Sequence, residues 1–156
     1  MNPCDSPGLM PIKQALDSML KEVTQSLGVE KIGIIDACDR VLVYDVLSPI
    51  NVPPADNSAM DGYALCAADL SQSNKLALVG KSMAGSPFKG KLEKGQCVRI
   101  MTGAVIPNGA DAVIMQEQVT AGENDVLVEK KVEVGNNIRR AGEDIEKGAR
   151  ILHAGT

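Results

Sequence analysis

Short apolar runs, each bounded by glycine or proline, fill the middle of the chain and constrain its fold more than any other feature. They lie at residues 63–66, 76–79, 97–101, 112–115 and 126–132. Runs of this length with frequent turn residues are typical of strands and are too short for ordinary helices. Glycines between them suit the corners of a small barrel or folded sheet. We therefore predict a mostly antiparallel, β-barrel-like module at residues 51–140, with a hairpin loop at 121–125.

A helical pattern precedes this module. Apolar residues recur every three or four positions from Ile12 to Val23, and Pro11 stands where a first helical turn tolerates proline. We predict one amphipathic helix within an N-terminal helical segment, residues 1–27. The run 31–35 is predicted to be a strand, and Asp36 to cap a short helix that reaches Tyr44.

The composition excludes several classes of partner. The 156 residues include no Trp, one Phe and two Tyr, too few aromatic rings to stack the bases of a single strand. A formal charge of −4 also opposes a phosphate backbone, so we expect no nucleic-acid partner. The first residues show no basic segment followed by an apolar one, and no run approaches the roughly 20 apolar residues of a membrane span. We therefore predict a cytoplasmic protein with no membrane partner.

Cysteine and histidine offer little chemistry. The four cysteines are dispersed without a Cys-x-x-Cys pair, so neither a zinc site nor a disulfide framework is indicated, and we predict free, mostly buried thiols. No metal ligands are assigned. His153 is the only histidine, which excludes triad catalysis except through that one residue.

The segment 51–65 concentrates polar groups beside two prolines. Asp56 and its neighbours can bond nearby amides, and Asp61 with Gly62 immediately precedes a strand-like run. A calcium loop is excluded, because Met60 and Ala67 occupy positions that require oxygen ligands. Two readings stay open from the local pattern: a turn joining two elements, or a carboxylate site at the mouth of a strand.

Two later segments carry similar groups. At 99–104, Thr102 offers a hydroxyl, and Gly103 would allow backbone amides to approach an anionic oxygen, although a polar turn after a strand explains both equally well. At 137–144, two adjacent arginines could bind phosphate bidentately, but a surface ion-pair network is the plainer alternative. The charged residues of that segment are Arg139, Arg140, Glu143 and Asp144.

Four motifs in order make the chain resemble a known family. They are Ser-Ala-Met-Asp-Gly-Tyr-Ala within 53–65, Ile-Met-Thr-Gly-Ala within 99–107, Ala-Asp-Ala-Val-Ile-Met-Gln-Glu at 110–117 and Arg-Arg-Ala-Gly-Glu-Asp-Ile within 138–148. Together they are similar to the N-terminal region of the molybdopterin molybdenumtransferases, the MoeA and gephyrin E-domain family. The similarity extends from the first helix to Thr156.

The resemblance implies an architecture and an activity. It implies an α+β fold with an N-terminal helix, an elongated α/β domain formed by residues 28–50 and 141–156, and the small β-barrel-like domain inserted between them at 51–140. The family inserts molybdenum from molybdate into adenylylated molybdopterin with magnesium, in molybdenum cofactor biosynthesis. It also implies a homodimer, and molybdopterin adenylyltransferase is a further candidate partner.

Site residues follow from the same motifs. Asp61 is implied as catalytic, and Thr102, Gly103, Arg139, Arg140 and Asp144 as substrate-binding, in a cleft shared across the dimer. The pterin-binding domain of the family does not fit into a chain of this length, so we expect the isolated chain to lack turnover. The alternative is a non-catalytic scaffold for dimerisation or partner binding.

Overall fold

The computed structural model describes residues 9–25 and 28–156, and this part of the chain contains one α-helix and ten short strands. The helix α1 spans Ile12–Glu22. The strands are β1 Val46–Leu47, β2 Asn57–Ser58, β3 Gly62–Leu65, β4 Lys75–Ser82, β5 Gln96–Ile100, β6 Ala112–Met115, β7 Val119–Ala121, β8 Asp125–Val128, β9 Ile138–Arg139 and β10 Arg150–Leu152. Short 3₁₀ turns lie at Ile34–Asp36, Ala67–Ser71 and Gln116–Gln118.

The chain divides into two compact units. One reaches to Val43 and includes Gly155, and the other spans residues 44–154 with Thr156. In the first unit, α1 is confirmed within one residue of the predicted end, and Pro11 caps it as the residue before the first turn. The predicted helical segment at 1–27 includes residues 1–8 and 26–27, which lie outside the described part. The domain boundaries drawn from the resemblance stay a prediction.

Two elements predicted for the first unit are wrong. Residues 31–35 form no strand, and Asp36 ends a 3₁₀ turn instead of capping a helix. Ile34 and Ile35 are each 92% exposed and pair with no strand of the described chain, so nothing there holds the β-branched run extended. Asp39 has a positive φ of 61°, a conformation that a helix does not accommodate.

The second unit is built on a six-stranded sheet in the order β6-β3-β5-β4-β8-β7. Every neighbouring pair is antiparallel except β4 and β5, which confirms the predicted mostly antiparallel pattern. The hairpin predicted at 121–125 is confirmed between β7 and β8. The sheet is curled into a half-barrel and its two outer strands do not pair with each other, so closure into a barrel is incomplete.

Strand β3 lies near the centre of the core, and all four of its residues are buried. Tyr63 and Leu65 pack into one apolar cluster, while Ala64 packs into a second cluster with Ile100 and Val113. This alternation follows the two-residue period of a strand and shows that both faces of the sheet are covered.

One cysteine, Cys97, belongs to this core, and its burial changes the pKa of its thiol. Cys97 on β5 is fully buried, and burial raises the pKa of its thiol to about 12. Cys97 is a free thiol, as are the exposed Cys38 and the half-buried Cys66. The three thiols of the described residues are unpaired as predicted, but only Cys97 among them is buried, so the prediction that they are mostly buried is wrong.

Two small ladders flank the sheet. β1 pairs with β10, and β2 pairs with β9, both antiparallel. The second ladder brings Asn57 opposite Arg139 and Ser58 opposite Ile138. Because β2 and β9 each have two residues, this ladder positions the segments at 56–61 and 137–144 without contributing much core.

Candidate functional site

The loop that carries Asp61 is held by its own buried serine. Ser58 is 1% exposed, and its hydroxyl donates to the Met60 carbonyl at 2.6 Å. The Ser58 N–H donates to Ala104 at 2.9 Å, and its carbonyl accepts the Gly103 N–H at 2.8 Å. The segment 56–61 is therefore fixed against the turn at 101–104 before Asp61 is reached.

Asp61 and Thr102, implied as site residues by separate motifs, are in direct contact. Oδ1 of Asp61 accepts the Thr102 N–H at 2.8 Å and the Thr102 hydroxyl at 2.7 Å. These two bonds, the N–H first, hold the pKa of Asp61 below its ordinary value, and the charge of Arg99 acts in the same direction. The pair thus presents an ionised, oriented carboxylate at the surface.

Gly103 has a structural task in this turn. Its φ is +78°, a conformation that favours glycine, and its N–H is used internally by Ser58. The space around a Cβ at this position is open. Gly103 therefore shapes the turn that presents Thr102, while its own amide is already engaged.

The two arginines lie in a network of carboxylates. Arg139 donates from Nε to Glu143 at 2.7 Å and from Nη2 to both oxygens of Asp144 at 2.6 Å. The Arg140 N–H donates to Glu143 at 2.7 Å, and its Nη1 donates to Asp56 at 2.6 Å. Three carboxylates thus surround two guanidinium groups, which matches the ion-pair alternative and leaves no surplus of positive charge for an anion.

The network also shifts the pKa values of three of its members. The Arg139 side chain, followed by the Arg140 N–H, lowers the pKa of Glu143. The Ala141 N–H, 2.8 Å from Oδ1, is the first cause that lowers the pKa of Asp56, and Arg140 is the second. Glu143 and then Asp144 raise the pKa of Arg139. These shifts favour the charged forms of Glu143, Asp56 and Arg139.

The segment 56–61 is the junction of the three polar segments that the sequence singled out. At its first residue, Asp56 binds Arg140 and the Ala141 amide, and at its last residue Asp61 binds Thr102. Within the described residues, no hydrogen bond or ion pair joins Asp61 directly to Arg139, Arg140 or Asp144. Two polar clusters, one around Asp61 and one around Arg139 that includes Asp56, are therefore linked through the four backbone residues 57–60.

Some contacts of these clusters were not indicated by the sequence. Asp56 belongs to the segment for which both a turn and a carboxylate site are predicted, and its contacts with residues 140–141, more than 80 positions away, are indicated by neither. Arg99 and Gln116 lie beside Asp61, on a strand and just after another. An arginine in a strand pattern resembles any outward-facing residue, so only the sheet pairing could have revealed it.

We expect Asp56→Asn to lower stability near pH 7 and to lose this effect in acid. Because the pKa of Asp56 is lower in the folded state than in the unfolded state, the ionised carboxylate stabilises the fold above about pH 3.9. That stabilisation disappears as the pH falls through the folded-state value. At pH 7 the thermal midpoint should fall by roughly 3–5 °C, since charge-assisted bonds to an exposed loop are lost.

Circular dichroism melts at pH 7, 5 and 3 check this expectation. Asp125→Asn, which removes one exposed ion pair to Lys75, is the matched control and should change the midpoint little at any pH. An Asp56→Asn midpoint equal to that of the wild type at pH 7 would contradict the bracing role of Asp56.

The described residues offer no grouping of three or more His, Cys, Asp or Glu side chains placed to hold a metal ion. A groove of ≈ 320 Å³ lies elsewhere, between Leu70 and Val132, and Asp61 does not line it. The contacts that build the candidate site are themselves exposed, so the site is an open, polar surface. No helix of the described chain is sufficiently long and apolar to cross a membrane.

Comparison with known proteins gives this surface a context. The family model described as "MoeA N-terminal region (domain I and II)" matches residues 10–156. A molybdopterin molybdenumtransferase of Haemophilus influenzae is 46% identical over 148 residues, covering 94% of this chain and 37% of that protein. One of Synechococcus elongatus is 35% identical over 154 residues, covering 94% of this chain and 38% of that protein.

A solved structure supports the same relationship. The molybdopterin biosynthesis moeA protein of Pyrococcus horikoshii OT3 superposes with a TM-score of 0.84 at 34% identity, over 94% of this chain and 40% of that one. The chain therefore spans less than half the length of the relatives that it matches. The chain belongs to the family of MoeA N-terminal regions.

Proposed function

We propose that this chain supplies the N-terminal part of a molybdopterin molybdenumtransferase, acting in molybdenum cofactor biosynthesis. The observation that carries the proposal is the contact of Asp61 with Thr102, because two separate family motifs meet there in an exposed pair with one charged carboxylate. The substrates are molybdate and adenylylated molybdopterin. We place the protein in the cytoplasm.

Asp61 contributes a fixed negative charge to the reaction. Thr102 occupies Oδ1 with two donors, whereas no described residue donates a hydrogen bond to Oδ2. The second oxygen therefore keeps its acceptor capacity while Thr102 fixes the carboxylate in advance, which lowers the reorganisation needed when substrate arrives. Thr102 acts in this arrangement by orienting the carboxylate.

The arginine cluster contributes differently. A phosphate that bound Arg139 or Arg140 would compete with Glu143, Asp144 and Asp56 for the same donors. We propose that these arginines hold the loop at 138–144, and that substrate contact through them requires a change of partners. Asp144 then becomes available when Arg139 releases it.

Magnesium, which the family resemblance implies, does not fit the described residues of this chain alone. No three His, Cys, Asp or Glu side chains converge among them, and Asp61 and Asp144 lie in separate clusters without a common partner. We derive no step through the ion.

We propose a homodimer in which the surface around Asp61 faces a pterin-binding domain of the other subunit. The openness of this surface supports the idea, because a carboxylate on an exposed loop cannot by itself surround a substrate. Molybdopterin adenylyltransferase is a candidate partner, since it would deliver the adenylylated substrate.

The test compares the chain alone with a chimera. In the chimera, this chain replaces the matching region of the Haemophilus influenzae relative, to which it is 46% identical. We expect no molybdenum insertion by the chain alone and clear insertion by the chimera, measured as cofactor formed from molybdate and adenylylated molybdopterin. Turnover by the chain alone, or a folded chimera without turnover, would contradict the proposal.

A non-catalytic scaffold is the second candidate, and one observation favours it. Helix α1 buries none of its residues, and Ile12, Met19 and Val23 are 87%, 65% and 71% exposed. Such an apolar stripe is typical of an interface. An inactive chimera, together with a dimeric chain in sedimentation, would favour the scaffold over the enzyme part.

A further inference from the structure

Arg99 lies directly opposite Tyr63 where β5 pairs with the central strand β3. Its guanidinium carbon is 5.1 Å from the centroid of the Tyr63 ring, a cation–π distance. From the same planar group, Nη1 donates to the Gly62 carbonyl at 3.4 Å and Nη2 donates to the side-chain oxygen of Gln116. Arg99 therefore reaches across the first residue of β3, immediately after Asp61.

Gln116 completes a closed set of contacts around Asp61. It directly follows β6, the other neighbour of β3, and its N–H donates to the Asp61 carbonyl at 3.1 Å. Arg99 on β5 thus binds the side chain of Gln116, and Gln116, which follows β6, binds the Asp61 backbone. Because the guanidinium is planar and delocalised, its two donors are held in fixed directions, whereas the three donors of a lysine ammonium rotate about one flexible stem.

The charge of Arg99 acts on the same carboxylate. After the two bonds from Thr102, Arg99 is the remaining group that lowers the pKa of Asp61. The other charged group of this cluster is Glu117, whose Oε1 accepts Gln116 Nε2 at 3.0 Å. Arg99 and Thr102 therefore approach Asp61 from different elements, the first through the backbone and charge, the second through Oδ1.

We propose that Arg99 is a positioning residue for Asp61, which clamps the start of β3 to Gln116 and fixes the direction and charge of the Asp61 carboxylate. The proposal rests on the proposed role of Asp61 in molybdenum insertion. It assigns a task to a residue outside the set that the motifs implied, and it makes Gln116 the second half of the clamp.

The first test measures Asp61 in the chain itself, without activity. The carboxyl carbon of Asp61 is titrated by NMR in the wild type, in Arg99→Met and in Arg99→Lys. We expect the Asp61 pKa to rise in Arg99→Met, and the Thr102 and Gln116 amides to exchange faster in both variants. In Arg99→Lys the charge is kept, so the Asp61 pKa should stay near the wild-type value while exchange remains fast.

Arg150→Met is the matched control. Arg150 pairs with Asp45 at 2.9 Å in the ladder of β1 and β10, so its loss should leave Asp61, Thr102 and Gln116 unchanged. An Asp61 titration and amide exchange like the wild type in folded Arg99→Met would overturn the proposal. If that variant does not fold, unchanged amide exchange in Arg99→Lys would overturn it.

The second test uses the chimera. Arg99→Met should lower kcat roughly tenfold with little change in KM, and Arg99→Lys should recover part of the loss, as expected when a catalytic group is slightly misplaced. If the Asp61 titration changes in Arg99→Met but the Asp61→Ala chimera keeps full activity, the clamp stands and the proposed function is removed. An unchanged Asp61 titration together with unchanged amide exchange in folded Arg99→Met would remove the clamp and leave that function standing.

Discussion

Asp61→Ala in the chimera is expected to reduce molybdenum insertion by roughly a hundredfold or more, while the protein remains folded. The physical reason is the loss of the one charged group that Thr102 orients at this exposed surface. Stability should change little, because the Thr102 N–H and hydroxyl left behind are exposed and can bond water. Turnover and the thermal midpoint, measured on the same preparation, check both halves of the expectation.

Asp61→Asn separates charge from position. Its side-chain oxygen can still accept both bonds from Thr102, so the loop should keep its shape while the negative charge is lost. We expect this variant to be nearly as inactive as Asp61→Ala, and Thr102→Ala to be affected less. Equal losses of stability and activity in Asp61→Ala would show that Asp61 is a structural turn residue, and full activity in Thr102→Ala would remove Thr102 from the site.

Gly62→Ala is expected to destabilise the second unit by about 3 kcal/mol, a large effect for one methyl group. A Cβ at this position would lie 1.9 Å from the Ile114 carbonyl oxygen and 2.8 Å from its carbon, both backbone atoms of the neighbouring strand. Strand β3 is held between β5 and β6, so it cannot move away from Ile114 without losing one of its two ladders. Urea unfolding followed by circular dichroism measures the loss.

Gly80→Ala is the matched control for that experiment. Gly80 also lies within a strand, but an added Cβ there would meet the ring of Phe88 at 2.7 Å instead of backbone. A side-chain ring can shift where a paired strand cannot, so we expect a clearly smaller loss. If Gly62→Ala were as stable as Gly80→Ala, the tight approach of β3 to β6 would not be limiting.

The central strands were predictable from sequence because glycine and proline mark their ends and their apolar runs are short. The run at 112–115 coincides with β6, and that at 63–66 differs from β3 by one residue. The run at 126–132 was too long, since β8 ends at Val128 and Val132 packs against the core without pairing. Apolar character alone does not distinguish a paired residue from a packed one.

Other features have no local signature. The parallel pairing of β4 with β5 depends on a connection through 83–95, and strands of two residues, such as β2 and β9, are too short to produce a period. The segment 31–35 failed for the opposite reason: its pattern is strand-like, but no partner strand is present among the described residues. Pairing is a property of the whole fold.

The candidate site shows the same division. Asp61 and Thr102 are 41 positions apart, so no local pattern joins them. The pattern around Asp61 leaves turn and site open, that around Thr102 favours a turn, and the ordered motifs imply both residues as site residues. The structure shows a direct hydrogen bond between these two side chains, which neither the local patterns nor the motifs predict. Arg99 was not singled out, because its importance depends on which strand lies beside it. Residue chemistry could be predicted from the sequence, whereas the partner of each residue could not.

The ladder of β1 and β10 places the two chain ends of the second unit side by side. Val46 lies opposite Leu152 and Leu47 opposite Arg150, so the backbone enters and leaves this unit on two adjacent strands, about 5 Å apart. The half-barrel sheet and the arginine cluster both lie between β1 and β10 in the sequence, so this ladder brings together the two ends of the segment that contains them. A host protein could accept the whole unit as an insertion in a loop whose two ends are about 5 Å apart, and the contact of Asp61 with Thr102 would be carried along unchanged.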